Sequence, residues 1–236
     1  MSPLPDKVPP LIPVTTYRFT VEPLPGPPSA LHTLEALLRR PGQIVHAVET
    51  QNLRVLSWLG VIAAVCLCGF GVLVGSFSGG VQWIAAPVKI LIGAVLSAVI
   101  CLPSLYIFSC LGGASLRLRS ACGLVLVMLA LTAVLLLAFG PVMWLFTQAT
   151  DAIGFIGFLG LGFWFVGLCF GFRFMLAAAS HFGLESRGSL TLWCVLFLVV
   201  TLQMSTAIRP IVGTADSVLP GEKRFFVEHW FKILGR

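Results

Sequence analysis

Five apolar runs, at residues 55–77, 90–111, 120–146, 152–179 and 189–208, contain no Asp or Glu anywhere inside them. Each is long enough to cross about 30 Å of hydrocarbon at ~1.5 Å of helical rise per residue. A backbone in lipid must satisfy its own hydrogen bonds, so runs of this kind are expected as helices rather than irregular chain. The pattern predicts an all-α, polytopic membrane protein with five transmembrane helices.

Composition agrees. Apolar residues make up 58% of the 236 residues and charged ones 10%, against about a quarter charged in soluble domains. The chain divides into a proline-rich arm (1–28), a pair of interfacial amphipathic helices (29–52), a five-helix membrane domain (53–208) and a tail with its own amphipathic helix (209–236). The net charge of +6 is spread over span ends, which suits membrane orientation and gives no reason to expect nucleic acid as a partner. Prolines stand where a signal peptide would carry its apolar core, so the first span is expected to serve as an uncleaved targeting segment.

Lys and Arg set the orientation. Lys7, Arg18, Arg39, Arg40 and Arg54 precede the first span, Arg117 and Arg119 lie in the second connection, and Arg187 lies in the fourth, with Arg173 in the last turns of span four. The first connection (78–89) holds only Lys89, read as the outer end of span two, and the third (147–151) holds Asp151 and no base. The bias places the N-terminus in the cytoplasm and the C-terminus outside.

Residues 1–28 hold nine prolines and alternate polar with apolar around 15–22, as an extended arm with one strand-like stretch would. Ser29 then offers an N-cap to a helix whose Leu31, Leu34, Leu37 and Leu38 share a face, and Pro41 and Gly42 end it. Such a helix either lies at the headgroups or docks a partner.

Small residues let helix backbones meet where lipid supplies no drive toward association. Gly71 and Gly75 form a small-xxx-small pair in span one, and Gly160, Gly167 and Gly171 fall nearly in line on span four. Kinks are expected at Pro103 in span two and at Pro141 in span three. Trp58, Trp83, Trp144 and Trp230 sit near expected interfaces.

The spans contain no Asp, Glu or His, which speaks against a proton-coupled pump, and Gln203 is the most polar deep residue. No Ser–His pair, paired aspartates or zinc-binding HExxH helix suggests proteolysis. Cys66 and Cys68 project about 200° apart on a helix and make no metal clamp. All seven cysteines are read as small apolar filler. No catalytic residue, metal site or cofactor is expected, lipids held structurally aside.

Two signatures remain. Span two carries Pro103-Ser104-Leu105-Tyr106-x-Phe108, and span five exits as Gln203-Met204-x4-Arg209-Pro210-x2-Gly213. In these blocks, over about residues 34–231, the chain resembles an uncharacterised family of small five-span bacterial inner-membrane proteins. In outline, with Leu38-Arg39-Arg40-Pro41 ahead of the first span, it is similar to the Yip family of membrane-organising proteins. The resemblance implies the bacterial inner membrane and no reaction. Arg209 and Pro210 are expected to fix the exit of span five, and Phe225, Phe226, Trp230 and Phe231 to anchor the tail.

The function expected from all of this is non-enzymatic. The chain would be a structural or accessory subunit, its partners being membrane lipids and other membrane-protein subunits or further copies of itself. The alternatives are a transporter or channel component with its pathway at the kinks of spans two and three, and a Yip-like organiser of the membrane.

Overall fold

The structure, a computed structural model, describes residues 20–150, 152–184 and 187–207. Within them the chain forms α1 (Ala30–Arg39), α2 (Pro41–Glu49), α3 (Leu53–Ser78), α4 (Gln82–Leu111), α5 (Leu118–Ala138), α6 (Gly140–Ala149), α7 (Ile153–His181) and α8 (Arg187–Ala207). Five of these, α3, α4, α5, α7 and α8, are long and apolar enough to cross a membrane. The described residues contain no strand. Most of the strand-like stretch expected at 15–22, the tail and the residues Arg209, Pro210 and Gly213 lie outside the described residues.

α3 runs between α4 on one side and α5 on the other, α7 packs outside α5, and α8 packs outside α4. α5 is the most enclosed span, with 56% of its most apolar window buried, while α7 has 22%.

Two boundaries differ from the hydropathy reading. The expected connection 78–89 is mostly helix: α4 begins at Gln82, and the turn before it is made by Gly79 (φ 67°) and Gly80 (φ 55°). Two successive residues at positive φ are easy for glycine and costly for anything with a Cβ. Gln82, Pro87 and Lys89 lower the local hydropathy enough to hide these two helical turns. Span three, in turn, is two helices. α5 ends at Ala138, and Pro141 stands in the first turn of α6, where its missing N–H is no loss. The expected kink is therefore centred on Phe139, whose N–H donates to the Leu135 carbonyl and whose carbonyl accepts from the Met143 N–H, both at 3.0 Å. α4, by contrast, is continuous through both Pro87 and Pro103.

The N-terminal end of the bundle is built from tight caps. The Ser29 hydroxyl accepts from the His32 N–H at 3.3 Å, starting α1. α4 and α7 end with Gly113 (φ 85°) and Gly183 (φ 83°), and the next amides reach back to Ser109 and Ala179 carbonyls. This is the Schellman closure. α2 ends the same way with Gln51 (φ 55°) in the glycine position. Its side chain offsets the unfavourable φ by donating to the Val48 carbonyl at 2.7 Å and to Ser120 at 3.4 Å.

Candidate functional site

Lys89 is the most informative polar residue that the spans contain. It is 5% exposed, and Gln82, at 3%, lies two turns earlier on the same face of α4. Further along the buried side come Gly93 and Ser97, whose hydroxyl donates to the Gly93 carbonyl at 2.8 Å. Thr201 of α8 is also buried and donates to its own helix at Phe197, 2.6 Å away.

The depth of Lys89 follows from the contacts on either side of it. Gly71 of α3 meets the backbone of Pro87, and Gly75 meets Gln82, so a Cβ at Gly75 would stand 2.5 Å from the Gln82 carbonyl oxygen. Continuing this antiparallel register brings Lys89 level with Gly69, in the middle third of α3. Lys89 is thus inside the span and not at its outer end, as the sequence reading had it. An ionisable side chain at such a place is a functional candidate by default. No carboxylate is available within any of the spans.

The glycines of span four meet a different partner. A Cβ at Gly167 would stand 3.1 Å from the Thr132 methyl, and one at Gly171 would stand 2.9 Å from Met128 Cγ and from the Thr132 hydroxyl. Thr132 donates to Met128 at 2.8 Å and lies 3.3 Å from the Gly167 carbonyl across the seam. Gly160 faces only the Met143 methyl, at 3.6 Å.

The motif around Pro103 serves the contact with α8. The Cys101 carbonyl accepts from Ser104 at 2.8 Å and from the Trp193 indole at 3.0 Å. Trp193 is fully buried, whereas Tyr106 faces outward and Phe108 packs partly against the core. Pro103 and Pro141 are both exposed and lie far apart. The helix registers place Pro103 beside Val55 of α3 and Pro141 beside Val74, a separation of roughly 28 Å along the axis. The two prolines do not line one groove. Gln203 is half-buried on α8, at the depth of Leu91.

Sequence reasoning missed three positions. Pro87 fills the notch left by Gly71, and Gly123 of α5 makes room for Val48 of α2, whose Cγ1 would lie 2.9 Å from a Cβ there. The third is Glu49, which pairs with His181 at 3.2 Å and ties α2 to the end of α7. Ile44, Val45 and Val48 are all fully buried, so α2 is seated on the bundle over most of its circumference. An isolated glycine such as Gly123 carries no spacing signal, and a side-chain contact 132 residues apart in sequence carries none either.

The chain matches no family model, and no curated protein or solved structure is significantly similar to it.

Proposed function

We propose that this chain is a non-enzymatic structural or accessory subunit of a larger membrane assembly, in the bacterial inner membrane with its N-terminus cytoplasmic. One observation carries the reading: glycines seat the interior helices tightly on one another. Gly71 and Gly75 bring α3 onto α4, Gly167 and Gly171 bring α7 onto α5, and the buried hydroxyls of Ser97, Thr132 and Thr201 are bonded to carbonyls of their own helices. A unit packed this way acts through its outer surface. Its most outward span is α7, which exposes Phe155, Phe158, Phe165 and Phe170. The likeness to Yip-type organisers of the membrane belongs to the same reading.

Single cysteines at Phe158 and Phe165, in a variant without the native cysteines, test it by oxidative cross-linking in native membranes. A discrete cross-linked species, homomeric or heteromeric, is expected. Monomer alone at both positions, together with a monomeric size in mild detergent, would sink the accessory-subunit reading.

A transporter component is the second reading, and Lys89 is what favours it. Lys89→Met removes the charge while keeping the length of the side chain. Loss of uptake of a solute with unchanged melting and cross-linking would replace the first reading with the second.

A further inference from the structure

We propose that the N-terminal end of the bundle binds anionic phospholipid headgroups, with Arg173 reaching from within the apolar layer to hold one. The inference needs only the membrane-spanning fold and is independent of the accessory-subunit reading.

The helix registers locate the layer. Gly69 beside Leu137 and Gly140 beside Leu73 set α3 against α5, and the Gly167–Thr132 and Gly171–Met128 contacts set α5 against α7. They bring Arg173 level with Leu126 of α5 and Trp58 of α3. Arg54 then lies one turn closer to the N-terminal end, and Arg119 two turns. On the other flank, the Trp193–Cys101 hydrogen bond brings Arg187 of α8 to the level of Ile107, within about a turn of Arg54. Arg54, Arg119, Arg173 and Arg187 are all exposed, and their Cα atoms fall in a layer about 11 Å deep at ~5.4 Å per turn. Trp58 and Tyr106, both partly exposed, border the same layer, as aromatic side chains do at a membrane interface.

Charge and chemistry identify the occupant. The described residues hold three carboxylates: Glu22, Glu35 and Glu49. Glu35 is 3.9 Å from Arg39, and Glu49 is paired with His181. The exposed Lys and Arg of this end, among the described residues, are all arginines. A guanidinium offers a planar fork that matches two phosphate oxygens, which an ammonium does not. Arg173 follows Cys169 and Phe170 on a face of α7 turned away from the Gly167–Gly171 seam, so lipid is its surrounding, and its long stem lets the charge reach the headgroups. An anionic phosphodiester at the membrane surface satisfies both the charge and the position.

The test is thermal melting of the full chain in neutral detergent, with phosphatidylglycerol or phosphatidylcholine added at equal concentration. Phosphatidylglycerol is expected to raise the melting temperature by several degrees and phosphatidylcholine to leave it in place. Arg173→Gln should lose most of that rise, and Arg173→Lys should keep part of it. If Arg173→Gln does not fold, Arg54→Gln and Arg187→Gln are read in its place, each with a partial loss. Equal shifts from the two lipids, or undiminished shifts in the variants, overturn the proposal. A shift reproduced by inorganic phosphate at matched concentration overturns it too, since the site would then take a free anion.

Discussion

The α3–α4 seam and the α5–α7 seam are both made by glycines four residues apart, yet they are closed by different things. At α3–α4 the atoms facing Gly71 and Gly75 are backbone: the Pro87 Cα and the Gln82 carbonyl. At α5–α7 the nearest atoms facing Gly167 and Gly171 belong to side chains, the Thr132 methyl and hydroxyl and Met128 Cγ at 2.9–3.1 Å from an added Cβ, with the Thr132 and Met128 carbonyl oxygens close behind at 3.2 and 3.1 Å. Side chains can rotate away, whereas backbone moves only with its helix. The same sequence pattern therefore yields one seam with backbone at 2.5 Å or less and no give, and one whose backbone stands back at 3.1–3.2 Å behind side chains. Sequence alone does not distinguish them.

The comparison breaks most easily at Gly71. Gly71→Ala is expected to abolish folding or cost more than the ~1–3 kcal/mol typical of overpacking, with Gly75→Ala close behind, both read by denaturant or thermal melting in detergent. Gly171→Ala should cost about 1–2 kcal/mol, less than Gly71→Ala, because its nearest neighbours are the Met128 and Thr132 side chains at 2.9 Å and the backbone stands at 3.1 Å, not at 2.5 Å or less. Equal losses at Gly71 and Gly171 would erase the distinction between the seams. Thr132→Val keeps the shape and removes the hydroxyl. Hydrogen bonds between helices in membranes average about 0.6 kcal/mol, so a loss of that order is expected in the same melts. A loss above about 2 kcal/mol would show that the second seam depends on the hydroxyl more than on the glycines. Gly160→Ala, facing only the Met143 methyl at 3.6 Å, and Gly162→Ala, with nothing within 4 Å, should leave stability unchanged or slightly raised, since alanine is the better helix former.

A second contrast lies between the two ends of the bundle. At the far end α3 turns into α4 through two glycines. At the N-terminal end α2 is held by Val48 against Gly123, Gln51 to Ser120, and Glu49 to His181. Amphipathic spacing of leucines before the first span already pointed to helices there, and Ser29 and Pro41 mark the start of α1 and the break after it. Hydropathy, however, reads an amphipathic helix the same way whether its apolar face meets lipid or protein.

What the sequence by itself determined is the class and the count. Five carboxylate-free runs of about twenty residues or more can be nothing but helices in a bilayer, because an unpaired backbone amide has no water to turn to. Gly140 and Pro141 marked the place where span three bends, but Pro103 marked span two in the same way, and α4 runs on through it. The tertiary structure decided the rest. It chose Pro87 as the partner of Gly71, put Gly123 beneath Val48, separated Pro103 from Pro141 along the bundle, and brought Lys89 inside a span whose hydropathy stops at its charge. The physical reason is that transfer free energy is summed along a segment. Contact depends on which face of a helix is turned inward and on the axial register of its neighbour, and neither quantity is carried by the composition of a single helix.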